Sequence, residues 1–153
     1  MGAWSKGRAF VSMIERKQQS LQHDILKMEF SLLEIRQSIS ECEQEYENIS
    51  LKIKMLVPEG VICRDEIYKR LRKQGTLLSE QQLLLHKIDQ LGEKENELVH
   101  NRELKHAAMS ILDRKHYKIT SHLQRTRKKY LQRCDNDAEN EIQEMAVHAG
   151  KNI

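Results

Sequence analysis

The sequence is short of the residues that interrupt helices and of those that fill a thick core. It has one proline and six glycines in 153 residues, with one tryptophan, four tyrosines and two phenylalanines. So little turn chemistry speaks against a sandwich, a barrel or any chain of many short elements. With 32% of residues charged, a large buried core is not expected either. No uncharged apolar run approaches the ~20 residues of a membrane span. Val11 to Ile14 is too short for the apolar stretch of a secretory leader. Met1-Gly2 opens as a myristoylation site does, but Lys6 stands where Ser or Thr is required. The three cysteines, Cys42, Cys63 and Cys134, are odd in number and far apart. They fit idle or buried thiols in a reducing cytosol. The seven histidines form no i, i+4 pair, and C-x-x-C, H-E-x-x-H, phosphate-loop and nucleophile-elbow motifs are missing. No catalytic residue, metal site or cofactor is therefore expected, and the chain reads as non-enzymatic.

What is present points to long helices. Ala, Glu, Lys, Leu and Arg are the bulk of the charged and aliphatic residues, a composition typical of coiled coils. Val11, Ile14, Gln18, Leu21, Ile25, Met28, Leu32, Ile35, Ile39, Cys42, Tyr46, Ile49, Ile53 and Leu56 alternate in steps of three and four without a break. Only Gln18 departs from an apolar or Cys pattern. A 3.5-residue period held this long makes one seam on a helix wound about a partner. Roughly 50 residues would span about 75 Å at ~1.5 Å per residue.

Leu56-Val57-Pro58-Glu59-Gly60 ends this helix. Pro58 cannot continue the hydrogen-bond ladder and disfavours helical geometry at Val57. Gly60 supplies the freedom to reverse. Asp65 and Glu66 then suit a helix N-terminus. A second helix follows with a weaker seam. One row is Leu77, Leu84, Leu91, Leu98, Lys105, Leu112 and Ile119; its companion is Ile67, Gln74, Gln81, Ile88, Glu95, Arg102, Met109, His116, Leu123 and Tyr130. Half of the companion row is polar, and Gly75 and Gly92 each cost about 1 kcal/mol against Ala. A looser helix is expected. The whole chain, 1–153, is thus read as one all-α domain, a long antiparallel two-helix coiled-coil hairpin. Its parts are helix 1 at about 5–57, a turn at 58–63, helix 2 at about 64–146 and a C-terminal tail at 147–153.

A turn centred near residue 60 would set position i opposite roughly 120 − i, because a short connection makes antiparallel neighbours. Phe10 would then lie near Ser110, and everything after about residue 115 would lack a partner. That overhang would be roughly 30 residues, about 45 Å if helical. Its apolar residues Ile119, Leu123, Tyr130 and Leu131 would stand free. From Arg114 to Cys134 the charges are Arg114, Lys115, Lys118, Arg125, Arg127, Lys128, Lys129 and Arg133, with no acid; Asp135, Asp137, Glu139, Glu141 and Glu144 follow. Lys6, Arg8, Arg16 and Lys17 make the N-terminal arm basic as well. A solvated helix face explains such a run, and so does docking on a protein surface. Near the turn, Leu71, Leu78 and Leu85 form an extra apolar row beside the seam, either filled by homodimerisation or free for a partner.

The stretch Asp65-Glu66-Ile67-Tyr68-Lys69-Arg70-Leu71-Arg72-Lys73-Gln74, just after a turn between two long helices, resembles the surface presentation of antigens protein M family. Glu66, Ile67, Tyr68, Leu71, Arg72, Lys73 and Gln74 carry the likeness, and the architecture matches over most of the chain. Cys63 stands where a capping Ser is expected ahead of Arg64. Members of this family are stalk proteins of injectisome-type, virulence-associated type III secretion systems, similar in role to the flagellar export stalk protein. The resemblance implies an antiparallel coiled coil similar to the central shaft of rotary ATP synthases. Its open end sits in the pore of a hexameric secretion ATPase, and its closed tip reaches the export gate. Such a stalk couples ATP hydrolysis to protein export, on the cytoplasmic face of the apparatus, and related members handle export chaperones. Carried onto this chain, the export-gate contact falls on Glu66, Ile67, Tyr68, Leu71, Gln74, Leu78 and Leu85. The ATPase contact falls on Lys6, Arg8, Ile119, Leu123, Arg125, Arg127, Lys128, Lys129 and Tyr130. Direct membrane insertion and nucleic-acid binding are not expected. The alternatives are a homodimeric structural coiled coil, doubled into a four-helix bundle, and a nucleic-acid binder using the basic helix at 114–133.

Overall fold

The computed structural model describes residues 2–56, 60 and 63–151. They form two helices, α1 (Gly2–Met55) and α2 (Arg64–Lys151), packed as an all-α hairpin. Val57, Pro58 and Glu59, on which the expected chain reversal was placed, lie outside the described residues. Gly60 has φ +98°, a left-handed conformation that glycine adopts without a steric penalty. α2 starts at Arg64, without a side-chain cap from the preceding residue. The Cys63 carbonyl accepts from the Ile67 amide at 3.2 Å, closing the first turn. Arg64 reaches forward one turn to the Tyr68 hydroxyl at 3.3 Å, and its guanidinium lies 5.6 Å from the Tyr68 ring centroid. At its far end α2 stays helical through the stretch read as a tail, as far as Lys151.

The heptads of α1 form its contact face. All fourteen seam positions from Val11 to Leu56 are buried or half-buried, including Gln18. Ile14 and Leu32 are the most deeply covered, at 2% and 1% exposure. The α2 rows behave alike from Gln74 to Leu123, so the half-polar companion row is a real seam. Three of its polar members, Gln81, Glu95 and His116, have cross-helix partners.

Packing divides the chain into two compact units, His23–His106 and a second made of Met1–Gln22 with Ala107–Ile153. In the first, Gln81 is 7% exposed and its amide nitrogen donates to the Tyr46 carbonyl (3.2 Å) and the Ser50 hydroxyl (2.7 Å). Arg36 pairs with Glu95 at 3.3 Å and Lys105 with Asp24 at 3.2 Å. In the second, Gln18 donates to Asp113 at 2.7 Å and His116 meets Glu15 at 3.1 Å. These contacts are partly exposed, and the Arg36–Glu95 and Lys105–Asp24 ion pairs stabilise by roughly 0–1 kcal/mol each. Their larger effect is to specify register, since a slip of one turn leaves each of them unpaired.

That register differs from the symmetric one. Ser50 with Gln81, Arg36 with Glu95 and Gln18 with Asp113 set position i opposite about 130 − i. The reason lies in where the apolar row of α2 becomes continuous. Ahead of Leu77 the seam positions are only Ile67 and Gln74, so matching the leucines to the last apolar turns of α1 draws Leu77 toward Ile53. Two consequences follow. The first turns of α2, up to about residue 75, have no helical residue of α1 opposite them. At the other end α1 reaches about three turns further along α2 than a symmetric turn allows.

Neighbouring residues therefore differ sharply in what they support. Leu32 is 1% exposed and Leu33 is 64% exposed. Leu32→Ala should cost about 2–5 kcal/mol in urea unfolding, whereas Leu33→Ala should stay within about 0.5 kcal/mol of wild type. Equal losses would remove Leu32 from the core.

Candidate functional site

Three surfaces carry side chains that intrachain packing does not use. The first is the start of α2. Ile67, Leu71, Leu78 and Leu85 recur at helical spacing on one side and are 42%, 56%, 46% and 45% exposed. Gln74 lies at the inner edge of this strip and is half-buried. Tyr68, 47% exposed, and Glu66 flank it on either side, and Tyr68 is held by Arg64. The structure thus gathers Ile67, Leu71, Leu78 and Leu85 into a strip and leaves Glu66 and Tyr68 off it. Arg64, Lys69, Arg72 and Lys73 expose positive charge around the first turns. The strip is free because one facing helix covers a narrow stripe and, for Ile67 and Leu71, because α1 ends before their turns.

The second surface is the end where α1 begins. Here the expectation of an unpartnered α2 beyond residue 115 is corrected. Ile119 and Leu123 are half-buried, and the Leu123 side chain lies against Gly7. The shifted register brings α1 alongside them. Gly7 admits this approach because a Cβ there would run into the Leu123 methyl groups. The free part of α2 starts later, and every residue from Leu131 to Gly150 is exposed. This free segment carries exposed Leu131, Ile142, Met145 and Val147 and the five acids from Asp135 to Glu144.

Within the paired part the basic residues separate by face. Arg8 and Arg127 both line a cleft of about 510 Å³, together with Ala3, Trp4, Tyr130 and Leu131. The cleft continues between the helices past Val11, Leu123 and Gln124. Arg125 and Lys128 lie with Tyr117 in a separate shallow groove, and Arg125 donates back to the Ser121 carbonyl at 3.3 Å. Lys6 and Lys129 are exposed and belong to neither cleft. The only acids in Gly2–Gln22 and Ala107–Arg133 are Glu15 and Asp113, and both are engaged across the seam. Among the described residues no carboxylate pairs with Arg8 or Arg127. Positive charge on the paired part of this end is therefore not offset by a neighbouring carboxylate across the seam.

Two features escaped the sequence reading. Trp4 forms a wall of the cleft, and the available signal was its i, i+4 spacing to Arg8. The third surface is Leu26, Phe30 and Leu33 on α1, exposed by 58%, 63% and 64%. Their i, i+4, i+7 spacing is helical, but they fall between seam positions and so face away from α2. Among the described residues no helix is long and apolar enough to cross a membrane, and no three His, Cys, Asp or Glu side chains are grouped to hold a metal ion.

The close approach at Gly7 is testable. Gly7→Leu should force the start of α1 off Leu123, and amide exchange over residues 3–12 should speed up while that of residues 25–50 stays as in wild type. Unchanged exchange near residue 7 would refute the tight contact.

A family model described as the Salmonella surface presentation of antigen gene type M protein matches residues 5–146. No curated protein and no solved structure matches the chain.

Proposed function

The chain belongs to the surface presentation of antigen M family, whose role lies in type III protein secretion, and on that premise we propose that it is a non-enzymatic central stalk. In this reading the end that holds Trp4, Arg8, Arg127 and Tyr130 engages the secretion ATPase hexamer. The strip of Ile67, Leu71, Leu78 and Leu85 engages the export gate at the cytoplasmic face. The stalk transmits the consequence of ATP hydrolysis from one to the other, and export chaperones are further partners. The observation that carries the reading is the positive charge, not offset across the seam, around an apolar cleft at the end where both helices are present. A ring pore lined by acidic and apolar groups is the complementary surface, and summed charge of one sign steers such an approach. At the opposite end the requirement is an apolar contact surface outside the seam, and the leucine strip meets it.

The ATPase contact is tested by turnover of the secretion ATPase from the same cell. Reversal of charge at Arg125, Arg127, Lys128 and Lys129 should abolish stimulation, and moderate salt should weaken stimulation by the wild-type chain. Full stimulation by the reversed chain would remove the ATPase from this end. The gate contact is tested separately. Leu78→Ser with Leu85→Ser should reduce gate binding about tenfold or more while circular dichroism stays that of wild type. Undiminished binding by this folded variant would place the gate contact elsewhere.

A further inference from the structure

The acidic segment of α2 beyond the cleft has the properties of a ligand for the cleft itself. Leu131, Cys134, Ala138 and Met145 recur at three-, four- and seven-residue spacing on one face, with Ile142 alongside. Glu141 sits on the same face, and Asp135, Asp137, Glu139 and Glu144 surround it. The cleft offers the opposite set: apolar walls from Trp4, Leu123, Tyr130 and Leu131, and the guanidinium groups of Arg8 and Arg127. Within one chain the two cannot meet, because α2 is an unbroken helix through Lys151 and carries its acidic segment onward, away from its own cleft.

Between two chains they can meet twice at once. The basic run ends at Arg133 and the acidic run begins at Asp135, so the charge pattern inverts about Cys134. Two copies of α2 laid antiparallel with Cys134 at the centre bring Glu141, on the face of Cys134 and Ala138, level with the cleft's Arg127 of the second copy. In the same register Met145 comes level with Leu123 of the second copy and Ala138 with Tyr130. A pattern that complements itself under reversal suits a two-fold interface, in which each chain gives and receives the same contact. We propose that free copies of this chain pair in this way, the acidic segment of each lying in the basic, Trp4-lined cleft of the other. Cys134, exposed in the single chain, lies beside its counterpart in the pair.

The test uses the full chain carrying Cys63→Ser, so that Cys134 is its one exposed thiol. Sedimentation equilibrium should show mass rising from monomer to dimer with concentration and falling back in high salt. Trp4 is the only tryptophan, and its emission should shift to the blue in step with the mass. Mild oxidation should give a Cys134-linked dimer. Arg8→Glu with Arg127→Glu, and separately Glu141→Arg with Glu144→Arg, should each weaken pairing about tenfold or more with helicity unchanged. An equimolar mixture of the two variants should pair again, because each then meets a complementary surface. A chain that stays monomeric at every concentration overturns the proposal. So does a dimer that tolerates both charge variants, or one that forms without a change in Trp4 emission. If an acidic helical peptide unrelated to this chain shifts the Trp4 emission while the chain stays monomeric, the cleft serves another protein and self-pairing is refuted.

Discussion

Axial register is the constraint on which the other features depend. α1 has 54 residues and α2 has 88, so a large part of α2 must go without a partner wherever the two are aligned. Alignment decides how that excess is shared. The leucine row of α2 gains continuity only at Leu77, and Gln81, Glu95, Lys105, Asp113 and His116 hold their places by hydrogen bonds and ion pairs to α1. Unpartnered helix is thereby present at both termini of α2. The apolar side chains that packing leaves over at one of them are surrounded by basic groups, and those at the other by acidic groups.

Polar side chains in the seam act as keys more than as sources of stability. An apolar seam with a regular period tolerates a shift by a heptad, because leucine meets leucine again seven residues on. Gln81 does not tolerate it. Buried to 7% exposure, its amide needs the Ser50 hydroxyl and the Tyr46 carbonyl together, and a slip would leave it without them at a cost of about 1–3 kcal/mol. The exposed ion pairs add discrimination of the same kind at lower strength. The polar half of the companion row, which lowers the apolar content of the interface, thus removes the degeneracy that a purely apolar one would have.

Much of this was legible in the residues. The fourteen seam positions of α1, both rows of α2 between Gln74 and Leu123 and the exposed leucines at 71, 78 and 85 follow from period alone, because burial on a helix is a matter of angle. The offset between the helices was not legible in that way. It depends on pairing particular side chains across the interface: a symmetric turn would set i opposite 120 − i, and the polar partners of Gln18, Ser50 and Asp24 dictate otherwise. The symmetric register would also leave Ile119 and Leu123 free. Leu26, Phe30 and Leu33 were overlooked for a different reason, since apolar residues outside the dominant period carry no signal about what covers them. Trp4 gained meaning only when Arg127, Tyr130 and Leu131 were placed beside it.

The last turns of α2 also bear on how long the intact molecule persists in a cell. From Gln132 to Gly150 the helix is exposed on all sides and lacks the tertiary packing from which most helical stability in proteins comes. Opening there requires none of the core to separate, so it occurs far more often than global unfolding. A degradative enzyme that needs an extended strand finds one first in this stretch, well before the segments that contain Ile14 or Leu32 become accessible. Whatever covers this acidic helix therefore also opposes its local opening, and an uncovered end is the first part of the chain to offer an extended strand.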